Sequence, residues 1–181
     1  MSKNSVILVI SDTHCPYHHP DLIPFLKALK KKYKPDRVIH IGDEVDSHAI
    51  SFHDSDPDLY SAGDEHQASL PTIHQMEKLF PKMDLMDGKA ANVLKVAQQY
   101  GCPTVQGHYH SSCSIQYWGN PNNLNWGMQV GCLIDAKSLA FEYCKTQKSR
   151  PIIGCGIIID GLPKLLPMVL SKGGKWNKVC P

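Results

Sequence analysis

Five residues, Val6-Ile7-Leu8-Val9-Ile10, constrain this chain more than any other stretch, because they are apolar without alternation and run straight into Ser11-Asp12-Thr13-His14. A short β-branched run bounded by polar residues reads as a strand buried on both faces, and such a strand needs a layer of structure on each side. Downstream, Asp21 to Leu29 carries apolar residues at Leu22, Phe25, Leu26 and Leu29, the spacing of a helix face, and the helix should end near Tyr33, before Pro35. Arg37-Val38-Ile39-His40-Ile41 then reads as a second strand running into Gly42-Asp43. Strand, helix and strand in this order make a βαβ unit with parallel strands.

The same alternation continues, then changes. Residues 46–80 read as mostly helical, with polar loop material at Asp54 to Asp58 and a break or kink at Pro71. Met83 to Met86 is a candidate third strand. Ala90 to Tyr100 is a helix former closed by Gly101, and Pro103 to Gln106 is a strand entering Gly107. Past residue 110 strands dominate: Ser114 to Trp118, a turn at Gly119 to Asn123, Met128 to Ile134, and a hairpin of Ile152 to Asp160 with Leu165 to Leu170 around Gly161-Leu162-Pro163. The 181 residues, 42% of them hydrophobic, are enough for one domain with a real core and carry no linker, so residues 1–181 are expected to form a single domain.

Charge and cysteine usage remove several classes of function. A formal charge of +2 is too small for a nucleic-acid footprint or an electrostatic membrane anchor, and the basic cluster Lys30, Lys31, Lys32 and Lys34 is better explained as a solvated helix end. No run approaches the roughly 18 apolar residues of a membrane span. The first apolar run is too short for a secretory core, and seven cysteines without paired spacing point to reduced thiols, so a cytoplasmic setting is expected.

The chemistry-bearing residues sit in three short motifs, each at the C-terminal end of an expected strand, where open α/β sheets place their sites. They are Asp12-x-His14, Gly42-Asp43-x-x-Asp46 and Gly107-His108-x-His110. Mixed carboxylates and imidazoles suit Mn²⁺, Fe or Zn²⁺, and a carboxylate such as Asp43 can bridge two ions. Gly42 and Gly107 would let the backbone turn sharply, aiming the next side chain at the metal. His18, His19, His48, His53, His66 and His74 lack motif spacing, with His48 and His53 favoured by nearness to Asp43. Cys15 reads as a packed thiol; Tyr117, Trp118 and Trp126 read as core or rim packing. Gly154-x-Gly156 lacks the helix and third glycine of a dinucleotide site.

In this order the motifs resemble those of the calcineurin-like metallophosphoesterases, with the bacteriophage type nearest, over residues 5 to about 160. The resemblance implies a phosphoesterase sandwich of two mixed β-sheets flanked by helices (αββα). It implies metal ligation by Asp12, His14, Asp43 and His110, with Asp43 bridging and His108 facing a second ion. The candidate catalytic residues it implies are His108, which would steady the leaving oxygen, and Asp46, which would support a ligand from behind. The implied cofactor is a divalent metal, Mn²⁺ first, with Fe, Ni²⁺ or Zn²⁺ as alternatives, in one or two copies. The implied substrate is a phosphate mono- or diester, a class that includes nucleotides and nucleic acids, and the implied location is the cytoplasm, that of the host if phage-encoded.

One departure bears on activity. The family's Asn-His dipeptide, expected between Asp46 and Gly107, is missing, and its lone histidine before the Gly-His-x-His motif has no clear equivalent. Met83 to Asp87 resembles the strand that leads into Asn-His, yet Gly88-Lys89 and a helix follow at once, which reads as an internal deletion joined near residues 87–89. A gap or exposed edge is expected there, and with it a tendency to form homo-oligomers. Two readings stay open: a phosphoesterase using a metal-activated water, and a catalytically impaired protein of the same fold serving as an interaction module.

Overall fold

The computed structural model describes residues 5–51, 56–86, 92–141 and 148–181. The expected deletion junction at 87–89, His53 and the start of the Ala90 helix lie outside the described residues. Among the described residues eight strands form two sheets. The first contains β1 (Val6–Ile10), β2 (Arg37–His40), β3 (Met83–Leu85), β7 (Gly154–Ile159) and β8 (Leu162–Pro167), in the order β3-β2-β1-β7-β8. Strands β1, β2 and β3 run parallel, while β7 pairs antiparallel with β1 and β8 antiparallel with β7. The second sheet has the order β4-β6-β5, from β4 (Thr104–Gln106), β5 (Ser114–Gly119) and β6 (Leu124–Gln129); β4 is parallel and β5 antiparallel to β6. Helices α1 (Leu22–Tyr33), α2 (Ala62–Leu79) and α3 (Val93–Tyr100) complete the architecture.

The unalternating run of β1 is explained by its two burial environments. Leu8 and Ile10 point into the larger core, where Leu22, Phe25, Leu26 and Leu29 of α1 and Met76 of α2 are fully buried. Val9 points the other way, into an inter-sheet core with Trp126, Met128 and Val130. Period-two geometry sends successive side chains to opposite faces, so a strand between two cores must be apolar throughout. Each fully buried Leu or Phe contributes roughly 1.5–3 kcal/mol relative to exposure. Gly156 of β7 belongs to this packing: a Cβ there would meet the side chains of Val130 and Met128.

Three expectations need correction. Helix α2 runs through Pro71 without a break, since one missing N–H is tolerated where Met76, Thr72, Ser69 and Glu65 bury the helix on either side of it. The strand expected at Met128 to Ile134 begins earlier, at Leu124, because Asn120 Oδ1 accepts from the N–H groups of Asn122 and Asn123 and closes a tight turn that sets the register. Residues 130–134 are buried but outside the ladder, tied instead by Leu133 N donating to Asp12 O at 2.9 Å. The last hairpin turns at Asp160-Gly161, with φ of 50° and 81°, and Leu162 and Pro163 belong to β8. As the edge strand, β8 accommodates a proline that has no N–H to donate.

The bland readings of the basic cluster and the cysteines fit the structure. Lys30 donates to Leu79 O and Lys32 to Cys180 O, both at the end of α1. The cysteines among the described residues are all free thiols. Among those residues no helix is long and apolar enough to cross a membrane.

Candidate metal centre

Sheet register brings the motif loops together. Past the end of β1 the chain keeps hydrogen bonding to the segment after β2: Asp12 N donates to Gly42 O, His14 N to Asp43 O and Cys15 N to Glu44 O, at 3.1, 2.9 and 2.8 Å. The loop after β4 closes onto the same place, its His108 N–H donating to both carboxylate oxygens of Asp12 at 3.0 and 2.9 Å. Gly107 permits that approach, since a Cβ would collide with Ser11 Oγ and Asp12 Oδ2. The need there is for closeness. The turn itself is made by His108, whose φ is 69°, whereas Gly42, with φ of 113°, serves as the sharp turn expected of it.

Asp12, His14, Asp43 and His108 all adopt left-handed backbone conformations, with φ of 49°, 46°, 51° and 69°. Each such non-glycine position costs on the order of 1–3 kcal/mol and persists where the surroundings over-determine it, a pattern concentrated at functional sites.

Three side chains converge. The ligand atoms of Asp12, His14 and His110 all lie within 4.8 Å of one another. His14 Nε2 stands 3.1 Å from His110 Nε2, His110 Nε2 is 3.4 Å from Asp12 Oδ1, and His14 Nε2 is 4.0 Å from the same oxygen. Donors about 2.0–2.2 Å from one cation lie roughly 3.0–3.5 Å apart, so the two shorter separations are those of a coordination shell and the third needs a small adjustment. The rest of each group is already engaged. Asp12 Oδ2 accepts from Ser11 Oγ, leaving Oδ1 toward the histidines, and His14 Nδ1 faces Asp46 Oδ1 at 2.6 Å. That pairing directs a proton to Nδ1 and a lone pair to Nε2, as in metal-ligating histidines. Two imidazole nitrogens and a carboxylate oxygen aimed at one point, in a pocket where Asp12 is 1% exposed, fit a divalent cation.

Burial pushes the Asp12 carboxyl up, but its hydrogen bonds with His110, Ser11 and the His108 N–H, with attraction to His110, outweigh that and hold its pKa below the ordinary value. Beneath the loop lies His40, whose Nε2 is 3.1 Å from Thr13 Oγ1; burial drives its pKa down to about 4, so it stands neutral. Burial also raises the Cys15 thiol to about 12, which suits a packed thiol.

Asp43 is not part of the trio. Its side chain, 44% exposed, faces His108, with Oδ2 3.5 Å from Nδ1 of a ring that is 59% exposed. The motifs thus supply a trio of buried Asp12 with half-buried His14 and His110 and, beside it, an open Asp43–His108 pair. Asp46 sits behind His14, and His48 stands behind Asp46 in turn, its Nδ1 3.8 Å from Asp46 Oδ2 and its Nε2 accepting from Asp56 N. His18 and His19 bond to Thr72 and Gly174 O, away from the trio.

Residues without motif spacing complete the site. Glu65, buried on the first turn of α2, accepts from the N–H groups of Ser47 and His48 at 2.5 and 3.0 Å and so pins the segment carrying Asp46. Gln129 Nε2 donates to Gly107 O at 2.5 Å. No local signal marks Glu65 or Gln129. His40 was open to inference, because strand alternation puts it on the same face as buried Val38.

Residues 5–64 match the calcineurin-like phosphoesterase family model, the segment that holds Asp12, His14, Asp43 and Asp46. Among solved structures, Vps29 of Chaetomium thermophilum, complexed with a RaPID-derived cyclic peptide, aligns at a TM-score of 0.52 and 12% identity over 98% of this chain and 95% of its own. Vacuolar Protein Sorting 29 of Cryptosporidium parvum aligns at 0.50 and 13% identity over 98% and 97%. The fold is the two-sheet α/β sandwich of the calcineurin-like phosphoesterases. No curated protein matches the chain.

Proposed function

We propose that this chain is a calcineurin-like metallophosphoesterase, in which Asp12 Oδ1, His14 Nε2 and His110 Nε2 hold one divalent ion, Mn²⁺ foremost. The observation that carries this reading is the convergence of those three donors from two separate loops. A bound ion would act as a Lewis acid toward a phosphoryl oxygen and lower the pKa of its water. The protein's own contributions are positional. Asp46 fixes the tautomer and direction of His14, and Ser11 with the His108 N–H fixes the rotation of Asp12. His108, exposed and oriented by Asp43, is the side chain we assign to donate a proton to the leaving oxygen of a phosphate mono- or diester.

We further propose that Asp43 and His108 form the remnant of a second ion site whose Asn-His ligand was lost in a deletion near residues 87–89, in a bacteriophage-type member. Two ligands hold an ion poorly, so one tight ion per chain and slow turnover are expected. A second reading, a catalytically impaired interaction module, is favoured by the same exposed, two-residue pair. Bis(4-nitrophenyl) phosphate assayed with Mn²⁺ separates them. Turnover lost in His110→Ala and reduced at least about tenfold in His108→Ala supports the enzyme; no turnover above buffer with one ion bound supports the module.

A further inference from the structure

Beside the Asp43–His108 pair the packing of the two sheets is incomplete. Between them lies a cavity of about 390 Å³, inside the range of ligand sites, about 300–1,000 Å³. Ile39, Ile41 and Ile158 line it from the first sheet and Val105 from the second, while Thr104 and Gln106 add polar groups and Val96 of α3 lines it beside the edge strand β4. The cavity follows both strands from Ile39 and Thr104 to their C-terminal ends, where Gly42-Asp43 and Gly107-His108 line it. Its lining is mostly aliphatic, with Asp43 and His108 at one end, and that end adjoins the trio through the His108 N–H bonds to Asp12.

We propose that this cavity seats the leaving group of the ester, and that the group it selects is a flat aromatic ring joined to phosphate through oxygen. The assignment rests on the phosphoesterase reading of the Asp12–His14–His110 site. Branched aliphatic walls offer a sugar or a second phosphate few partners for its polar groups, and burying such groups unpaired is unfavourable. The polar part of the ligand must stop at Asp43 and His108. Rigidity narrows the choice further, because a ring fills such a cavity without freezing the rotatable bonds that a flexible chain of similar area would have to order. Hydrolysis at this site would add water across the P–O bond, releasing phosphate and the corresponding phenol.

Calorimetric titration of the Mn²⁺-loaded protein with non-hydrolysable phosphonates tests this. 1-Naphthylphosphonate should bind on the order of 10- to 100-fold more tightly than methylphosphonate, and hexylphosphonate should fall between them. Ile39→Phe, which fills the cavity from β2, should erase the naphthyl preference while leaving methylphosphonate affinity unchanged; Val96→Phe fills it from α3 and serves if the first variant fails to fold. Equal affinity for naphthyl and methyl compounds, or a preference that survives both fillings, overturns the cavity assignment. Hexyl binding as tight as naphthyl overturns the aromatic selection. If 1-naphthol binds and inorganic phosphate does not, the phosphoesterase reading falls, and the assignment of the ring to a phosphate ester falls with it.

Discussion

His14 is held on both sides, by Asp46 at Nδ1 and by the neighbourhood of His110 and Asp12 at Nε2, and this makes Asp46 a residue whose role can be measured apart from direct ligation. Asp46→Asn keeps the shape but weakens the acceptor, and Mn²⁺ affinity should fall about 10- to 100-fold by isothermal titration calorimetry. Asp12→Ala and His110→Ala should abolish binding, whereas Asp43→Ala should cost less than either, since Asp43 stands outside the trio. That ranking departs from the sequence-based expectation of Asp43 as the bridging ligand: motif spacing says which residues share an edge of the sheet, and rotamer and loop closure decide which of them meet. His40 gives a residue-scale test of stability. Its pKa of about 4 lies below the ordinary 6.5 because burial disfavours the charged ring. Between those values the unfolded chain takes up a proton that the folded chain refuses, so stability is full above about pH 6.5 and falls as the pH drops toward 4. Urea unfolding with chelator present should show a loss of roughly 2 kcal/mol from this group between pH 7 and pH 5, and His40→Gln should remove that share of the pH dependence. An unchanged profile in the variant would place the titration elsewhere.

At the scale of elements, the strands and helices written in local pattern were legible and those set by long-range closure were not. β1 matches its apolar run residue for residue, α1 its 3.6-residue spacing, and Gly101 caps α3 in the left-handed conformation expected of it. The last hairpin was legible in kind but misplaced, because Asp160-Gly161 is itself the turn signal and Leu162-Pro163 looks like turn chemistry only until an edge strand accommodates the proline. Of the site, the motif residues were readable, while Glu65 and Gln129 were not, since each acts through a contact 17 or more residues away in sequence. The loop after β4 supplies the element-scale prediction. Gly107→Ala must push this loop away from Ser11 and Asp12, which should cost about 1–3 kcal/mol and weaken metal binding at least about tenfold by separating His110 from Asp12. Full metal affinity in that variant would show that the loop can yield without moving its histidines.

The whole molecule carries two consequences of how its sheets are assembled. Strand β3 is the outer strand of the five-stranded sheet, and its end is apolar, with Leu85 64% and Met86 55% exposed. Among the described residues no strand pairs with the outer side of β3, and an apolar edge of that kind invites pairing with a second copy, so sedimentation velocity should show self-association that rises with concentration and is reduced by Leu85→Lys; a monomer at all concentrations would contradict this. Both cores share β1, with Leu8 and Ile10 in one and Val9 in the other, so the two sheets should unfold in one cooperative transition. The single-domain expectation is tested by coincident circular dichroism and tryptophan fluorescence curves. The central claim is that Asp12, His14 and His110 form a cation site. A crystal grown or soaked with Mn²⁺ and measured at the manganese edge should show one strong anomalous peak about 2.0–2.3 Å from Asp12 Oδ1, His14 Nε2 and His110 Nε2, and at most a weak one between Asp43 and His108. A map with no peak among those three atoms would contradict the account.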